Sequence, residues 1–100
     1  MNLVEMLDEV ASGLPSVERL ETGTSVEWRR GSRAFAVAGA DHGEFRLDVA
    51  VARAATRTPD TETSPRGAGW ITFVPAVLDG HATDRAEAWF ASAWRLAEHR

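Results

Sequence analysis

"EWRRGSRAFAVAG", Glu27 to Gly39, decides the fold. Its centre, Gly31-Ser32, is turn chemistry: glycine accepts backbone angles that other residues resist, and serine suits a tight reversal. On either side the residues alternate. Thr24, Val26 and Trp28 share one face of an incoming strand. Phe35 and Val37 share one face of the outgoing strand, with small alanines on the other. The stretch therefore reads as a β-hairpin with Arg29, Arg30 and Arg33 gathered at its turn.

The period of two extends outward from the hairpin. Upstream, "SVERLET" (residues 16–22) is a further short strand. Downstream, "GADHG" (residues 39–43) is a turn. "EFRLDVAV" (residues 44–51) then sends Phe45, Leu47, Val49 and Val51 inward, with Arg46 and Asp48 outward. Residues 24–51 are thus expected to form an antiparallel meander. "WITFVP" (residues 70–75) is a last strand, stopped by Pro75.

Helical periodicity appears at both ends. Asn2 can cap a first helix with Glu5 at the capping-box position. Leu3, Met6, Leu7 and Val10 form its apolar stripe, and Gly13 and Pro15 end it. A second helix begins at about Ala82 or Thr83, with Ala86, Trp89, Phe90, Ala93 and Leu96 as its core stripe. Trp94 lies beside that stripe. Arg95 and Arg100 complement the negative end of the helix dipole. Residues 52–69, rich in Thr, Ala, Pro and Gly, have no apolar period. Ala50 to Arg57 reads as a short helix, and residues 57–69 as a mobile loop. The fold class is α+β, in one domain spanning residues 1–100. An antiparallel sheet of about five strands carries an N-terminal helix and a long C-terminal helix.

Composition limits the function. The chain has 100 residues and is 44% hydrophobic and 26% charged, an ordinary globular balance. It has no cysteine, which removes disulfides, thiolate catalysis and cysteine-ligated zinc. No apolar run approaches the roughly 20 residues of a membrane span, and no signal-peptide pattern opens the chain. A cytoplasmic protein without a membrane partner is expected. The net charge is −4, and every basic residue is arginine. Residues 1–28 hold six acids and one arginine, whereas residues 29–70 hold seven arginines and five acids. Positive charge is therefore local to the middle of the chain. The acidic total disfavours strong non-specific binding to DNA, which depends on neutralising phosphates.

Four stretches carry a family resemblance: "GLPSVERLETG", "WRRGSRAFAVAG", "AGWITFVPAVLDG" and "AEAWFASAWRLA". Their order and spacing resemble the MmcQ/YjbR family through Leu14, Pro15, Val17, Thr22, Gly31, Phe35, Ala36, Gly69 and Trp70. The likeness runs nearly end to end. It implies a double-wing α+β fold and a description as DNA-binding that rests on fold analogy. The chain departs from the family in its acidity and in its Thr/Pro-rich middle segment.

Two functions from different classes follow. In the first, Arg29, Arg30 and Arg33, with Arg46 on the next strand, form a wing that contacts DNA phosphates weakly. Trp28 would stack beside them, and Arg53, Arg57 and Arg66 would extend the surface. In the second, the chain is a protein-interaction or small-ligand module with no nucleic-acid role. The hairpin is then a solvated end, with Trp28 in the core and the arginines paired to Glu27, Glu44 or Asp48. Trp94, off the core stripe, would line a groove or a self-association contact. His42, His81 and His99 lack metal-ligand spacing, so no metal is expected. No nucleophile frame and no phosphate-binding glycine loop occurs, so neither an enzyme nor a cofactor is expected.

Overall fold

The computed structural model describes residues 2–98. His99 and Arg100 lie outside the described residues. Helix α1 (Leu3–Ser12) starts as the capping box requires. The Asn2 carboxamide oxygen accepts from the Glu5 N–H, and the Glu5 carboxylate accepts from the Asn2 N–H, each at 2.9 Å. Strands β1 (Glu18–Thr22), β2 (Ser25–Arg30), β3 (Arg33–Ala38) and β4 (Gly43–Arg46) follow as a meander. Helix α2 (Val49–Ala55), strands β5 (Thr61–Thr63) and β6 (Trp70–Phe73), and helix α3 (Gly80–Glu98) complete the domain. The six strands form one antiparallel sheet in the order β1-β2-β3-β4-β6-β5. No helix among the described residues is long and apolar enough to cross a membrane.

Cross-strand partners share a face, so register sorts the side chains. One row runs Arg19, Trp28, Ala36, Phe45, Ile71, Thr63, and the next runs Glu21, Val26, Ala38, Gly43, Phe73, Thr61. All three helices contribute to the core on this side, through Leu3, Met6 and Leu7, Ala52 and Ala55, and Ala82, Ala86, Phe90 and Ala93. The opposite face carries Leu20, Glu27, Val37, Glu44, Thr72 and Glu62 in one row. Glu18, Arg29 and Ala34 lie beside that row at one end, and Arg46 and Trp70 at the other. Among the described residues, no helix covers this open face.

The alternation of β3 breaks once. Trp28 pairs with Ala36 but Arg29 pairs with Ala34, so Phe35 is an extra residue, a β-bulge. The bulge turns Phe35 into the helical layer, where its ring meets Phe90 edge-on at 5.2 Å. Phe35 and Val37 therefore do not share a face, contrary to the sequence alternation. Ala36 and Ala38 are core residues.

Three further expectations are corrected. The strand expected over residues 44–51 ends at Arg46, because Asp48 caps α2 by accepting from the Ala50 N–H at 2.9 Å. Val49 and Val51, expected inward, are exposed on that helix. The segment expected to be a loop, residues 57–69, contains the edge strand β5. A buried Thr61 anchors it, with its hydroxyl 3.1 Å from that of Thr58. Helix α3 also starts earlier than expected, at Gly80, because the Asp79 carboxylate accepts from the Ala82 N–H at 2.9 Å.

The β4–α2 corner is fixed by Gly69. Its carbonyl accepts from the Leu47 N–H at 2.7 Å and its φ is +85°. A Cβ there would sit 2.5 Å from the Leu47 carbonyl oxygen. Gly69→Ala is expected to cost more than about 2 kcal/mol, from combined backbone strain and collision. Gly80→Ala, where a Cβ meets nothing within 4 Å, is expected to change stability by less than about 1 kcal/mol. Urea unfolding of both variants checks the contrast, and equal losses would contradict it.

Candidate functional site

The arginine hairpin is built as a hairpin but not as a cationic tip. Arg29 lies on the open face, where its guanidinium is ion-paired to Glu27 two residues away on the same strand. Arg30 and Arg33 pair across the turn on the helix side. Arg30 reaches α3: it donates to the Trp94 carbonyl at 3.0 Å and lies 3.9 Å above the Trp94 ring. It also stands 3.8 Å from the Glu98 carboxylate. Only 16% of its side chain is exposed. Alternation along β2 creates this division, since Arg29 follows the core-facing Trp28 and Arg30 returns to its side, and the bulge in β3 brings Arg33 to the same face as Arg30.

Trp28, a candidate base-stacking ring in one sequence reading, is fully buried. Its ring packs edge-on against Phe90 at 5.3 Å. Its indole N–H donates to Asp8 of α1 at 3.2 Å. The same carboxylate oxygen accepts from Arg19 Nε at 2.9 Å. Trp94 is occupied by its own chain. Its indole N–H donates to the Pro15 carbonyl at 2.9 Å, and one ring face is covered by Arg30.

The remaining central arginines scatter. Arg46 lies on the open face opposite Trp70. Arg66, in the β5–β6 connection, folds back onto that face, pairing with Glu44 at 2.7 Å and standing 5.5 Å from the Trp70 ring. Arg53 is on α2, and Arg57 just beyond it. The open face thus holds Arg29, Arg46 and Arg66 against Glu18, Glu27, Glu44 and Glu62, a surplus of one negative charge.

Glu44 is the centre of that face. One carboxylate oxygen accepts from Arg66, and the other accepts from Ser64 at 2.7 Å. Burial alone would raise its pKa. The hydrogen bonds from Arg66 and Ser64 and the nearby positive charge outweigh burial and hold the pKa below the usual carboxylate value. In the sequence Glu44 is a candidate partner for the hairpin arginines. Its actual partners come from the segment expected to be loose. His42 and Asp41 approach at 3.3 Å, while Glu44 is engaged by Ser64 and Arg66. No metal-holding group of His, Asp and Glu forms among the described residues.

A groove of about 200 Å³ opens between α2 and the Gly67–Trp70 turn. Val49, Ala52 and Trp70 supply apolar wall, Thr56 and Thr63 hydroxyl groups, and Arg53 its ionic residue. Sites for drug-sized ligands are larger, from about 300 Å³ upward. The groove therefore suits one side chain or a small acid. It was not legible beforehand, because it depends on α2 beginning at Val49.

Glu44 makes the domain acid-sensitive in a defined direction. With its folded pKa lowered, its contribution is complete above the unfolded carboxyl pKa, about 4.3. That contribution is lost as pH falls through the lower folded value. Glu44→Gln is expected to lower the melting temperature most near neutrality, with the two proteins converging on acidification. Melting curves from about pH 7 to 3 check this, and a gap that widens in acid would contradict it.

No family model, curated protein or solved structure matches this chain, so its function is read from its own geometry.

Proposed function

We propose that this chain is a non-catalytic binding domain whose partner is a protein or a small ligand rather than nucleic acid. The observation that carries this reading is the use of the hairpin arginines inside the fold. Arg29 is neutralised by Glu27, and Arg30 is held by the Trp94 carbonyl, the Trp94 ring and Glu98. Phosphate binding needs cations whose counterions are exchangeable, and an arginine already paired to a carboxylate releases few. The surplus of acids on the open face works in the same direction. The α2 groove, with apolar walls and Arg53, offers a place for a small acidic group. The non-catalytic reading draws support from Glu44. Its shift is downward, and both its oxygens are engaged by structural partners, which suits an ion pair and not a proton donor at neutral pH.

One observation favours the second reading, a DNA-binding domain of the MmcQ/YjbR double-wing type. Arg46 and Trp70 stand opposite each other on the open face, a cation beside an indole, which is a combination that stacks on bases. Fluorescence anisotropy of labelled duplex and single-stranded DNA at two salt concentrations decides between the readings. No binding is expected at low salt with tens of micromolar protein, at the strong end of which non-specific binders already register. Binding that weakens steeply with salt and is lost in Arg46→Ala would overturn the proposal.

A further inference from the structure

One edge of the sheet is built for another strand. β1 pairs only with β2, and all five of its residues are exposed. Among the described residues, no other backbone hydrogen bond reaches Glu18–Thr22. Its outward N–H and C=O groups therefore form an open template. The opposite edge is blunted: β5 has three residues and lies between Pro59 and Pro65, which cannot donate. β1 has no proline. It has instead an apolar residue, Leu20, that is 45% exposed in the middle of a charged strand.

We propose that β1 pairs antiparallel with β1 of a second copy of this chain, about a two-fold axis at Leu20. The sequence Glu18-Arg19-Leu20-Glu21-Thr22 is self-complementary in that register. Arg19 falls opposite Glu21 of the partner subunit, and Glu21 opposite Arg19 of the partner subunit. Within one chain Arg19 pairs with Glu21 at 2.7 Å and with Asp8 at 2.9 Å, and the pairing across the axis joins these into one alternating-charge cluster on the helix-bearing face. On the open face the two Leu20 side chains meet, and Glu18 faces Thr22 of the partner subunit. The neighbouring registers fail. An axis at Arg19 brings two arginines together, and one at Glu21 brings two glutamates together, each destabilising. Edge charges ordinarily repel stray strands. Here their order excludes wrong registers and admits the chain's own copy, giving an isologous contact and a continuous sheet across both subunits. The contact is small, so the dimer is weak and concentration-dependent. The pairing leaves the open face and the α2 groove accessible, and it does not depend on which partner the domain takes.

Sedimentation velocity on the full chain over a concentration series tests the pairing. The natural protein is expected to dimerise reversibly. Glu21→Arg, which sets arginine against arginine twice, is expected to weaken dimerisation by about tenfold or more. The double variant Arg19→Glu/Glu21→Arg, with the pairs exchanged, is expected to recover most of it. Circular dichroism melting checks that each variant is folded. Should the double variant not fold, Leu20→Glu decides, because it puts two carboxylates at the axis while keeping the chain's own Arg19–Asp8 pair. A natural protein that stays monomeric up to about 1 mM would overturn the inference. So would a dimer indifferent to Glu21→Arg and Leu20→Glu, or a folded double variant that stays dissociated.

Discussion

The rest of the structure depends on Phe90 lying between Trp28 and Phe35. Both contacts are edge-to-face, at 5.3 and 5.2 Å, and all three rings are fully buried. Such pairs add about 0.5–1.5 kcal/mol beyond the area they bury. They also set geometry. Trp28 comes from a regular strand, whereas Phe35 reaches the same helix only because β3 carries an extra residue there. The bulge thus decides which side chains near the turn face the helices and which face away. Asp8 extends the arrangement to α1, since one oxygen accepts from both the Trp28 indole and Arg19.

The loss of the cationic tip follows from the same constraint. Arg30, two residues beyond the core-facing Trp28 on β2, stays on the helix side within reach of the end of α3, and the parity reset at Phe35 brings Arg33 opposite it. Arg29 remains on the open face beside Glu27. A sequence that looks like a positively charged wing therefore folds into two separate ion-paired arrangements. What the surface retains is a mixed-charge open face, a small groove beside α2, and an uncovered strand edge at β1.

Much of the fold was legible in the sequence, because it rests on local signals. The Asn2–Glu5 box, the Gly31 turn and the stripe through Ala86, Phe90 and Ala93 needed only spacing. The Arg29–Glu27 pair was also within reach, since residues two apart in a strand share a face. The bulge was not legible: one inserted residue inverts a period-two pattern without changing composition. The end of β4 turned on Asp48, which fits an outward strand position and a helix cap equally well. The bond that then fixes the corner, from the Leu47 N–H to the Gly69 carbonyl, is long-range. β5 is too short to carry a period, and its role in bringing Ser64 and Arg66 to Glu44 emerges only in three dimensions. Arg30 on Trp94 is likewise invisible to spacing. The self-complementary order of β1 was present in the sequence, but it acquires meaning only once β1 is known to be an edge.

A double-mutant cycle on Phe35→Leu and Phe90→Leu, measured by urea unfolding, tests most directly that the bulge delivers Phe35 to α3. The two effects are predicted to be coupled by about 0.5–1.5 kcal/mol, as expected of a buried edge-to-face pair. Effects that add within about 0.3 kcal/mol would place Phe35 away from Phe90 and contradict the account.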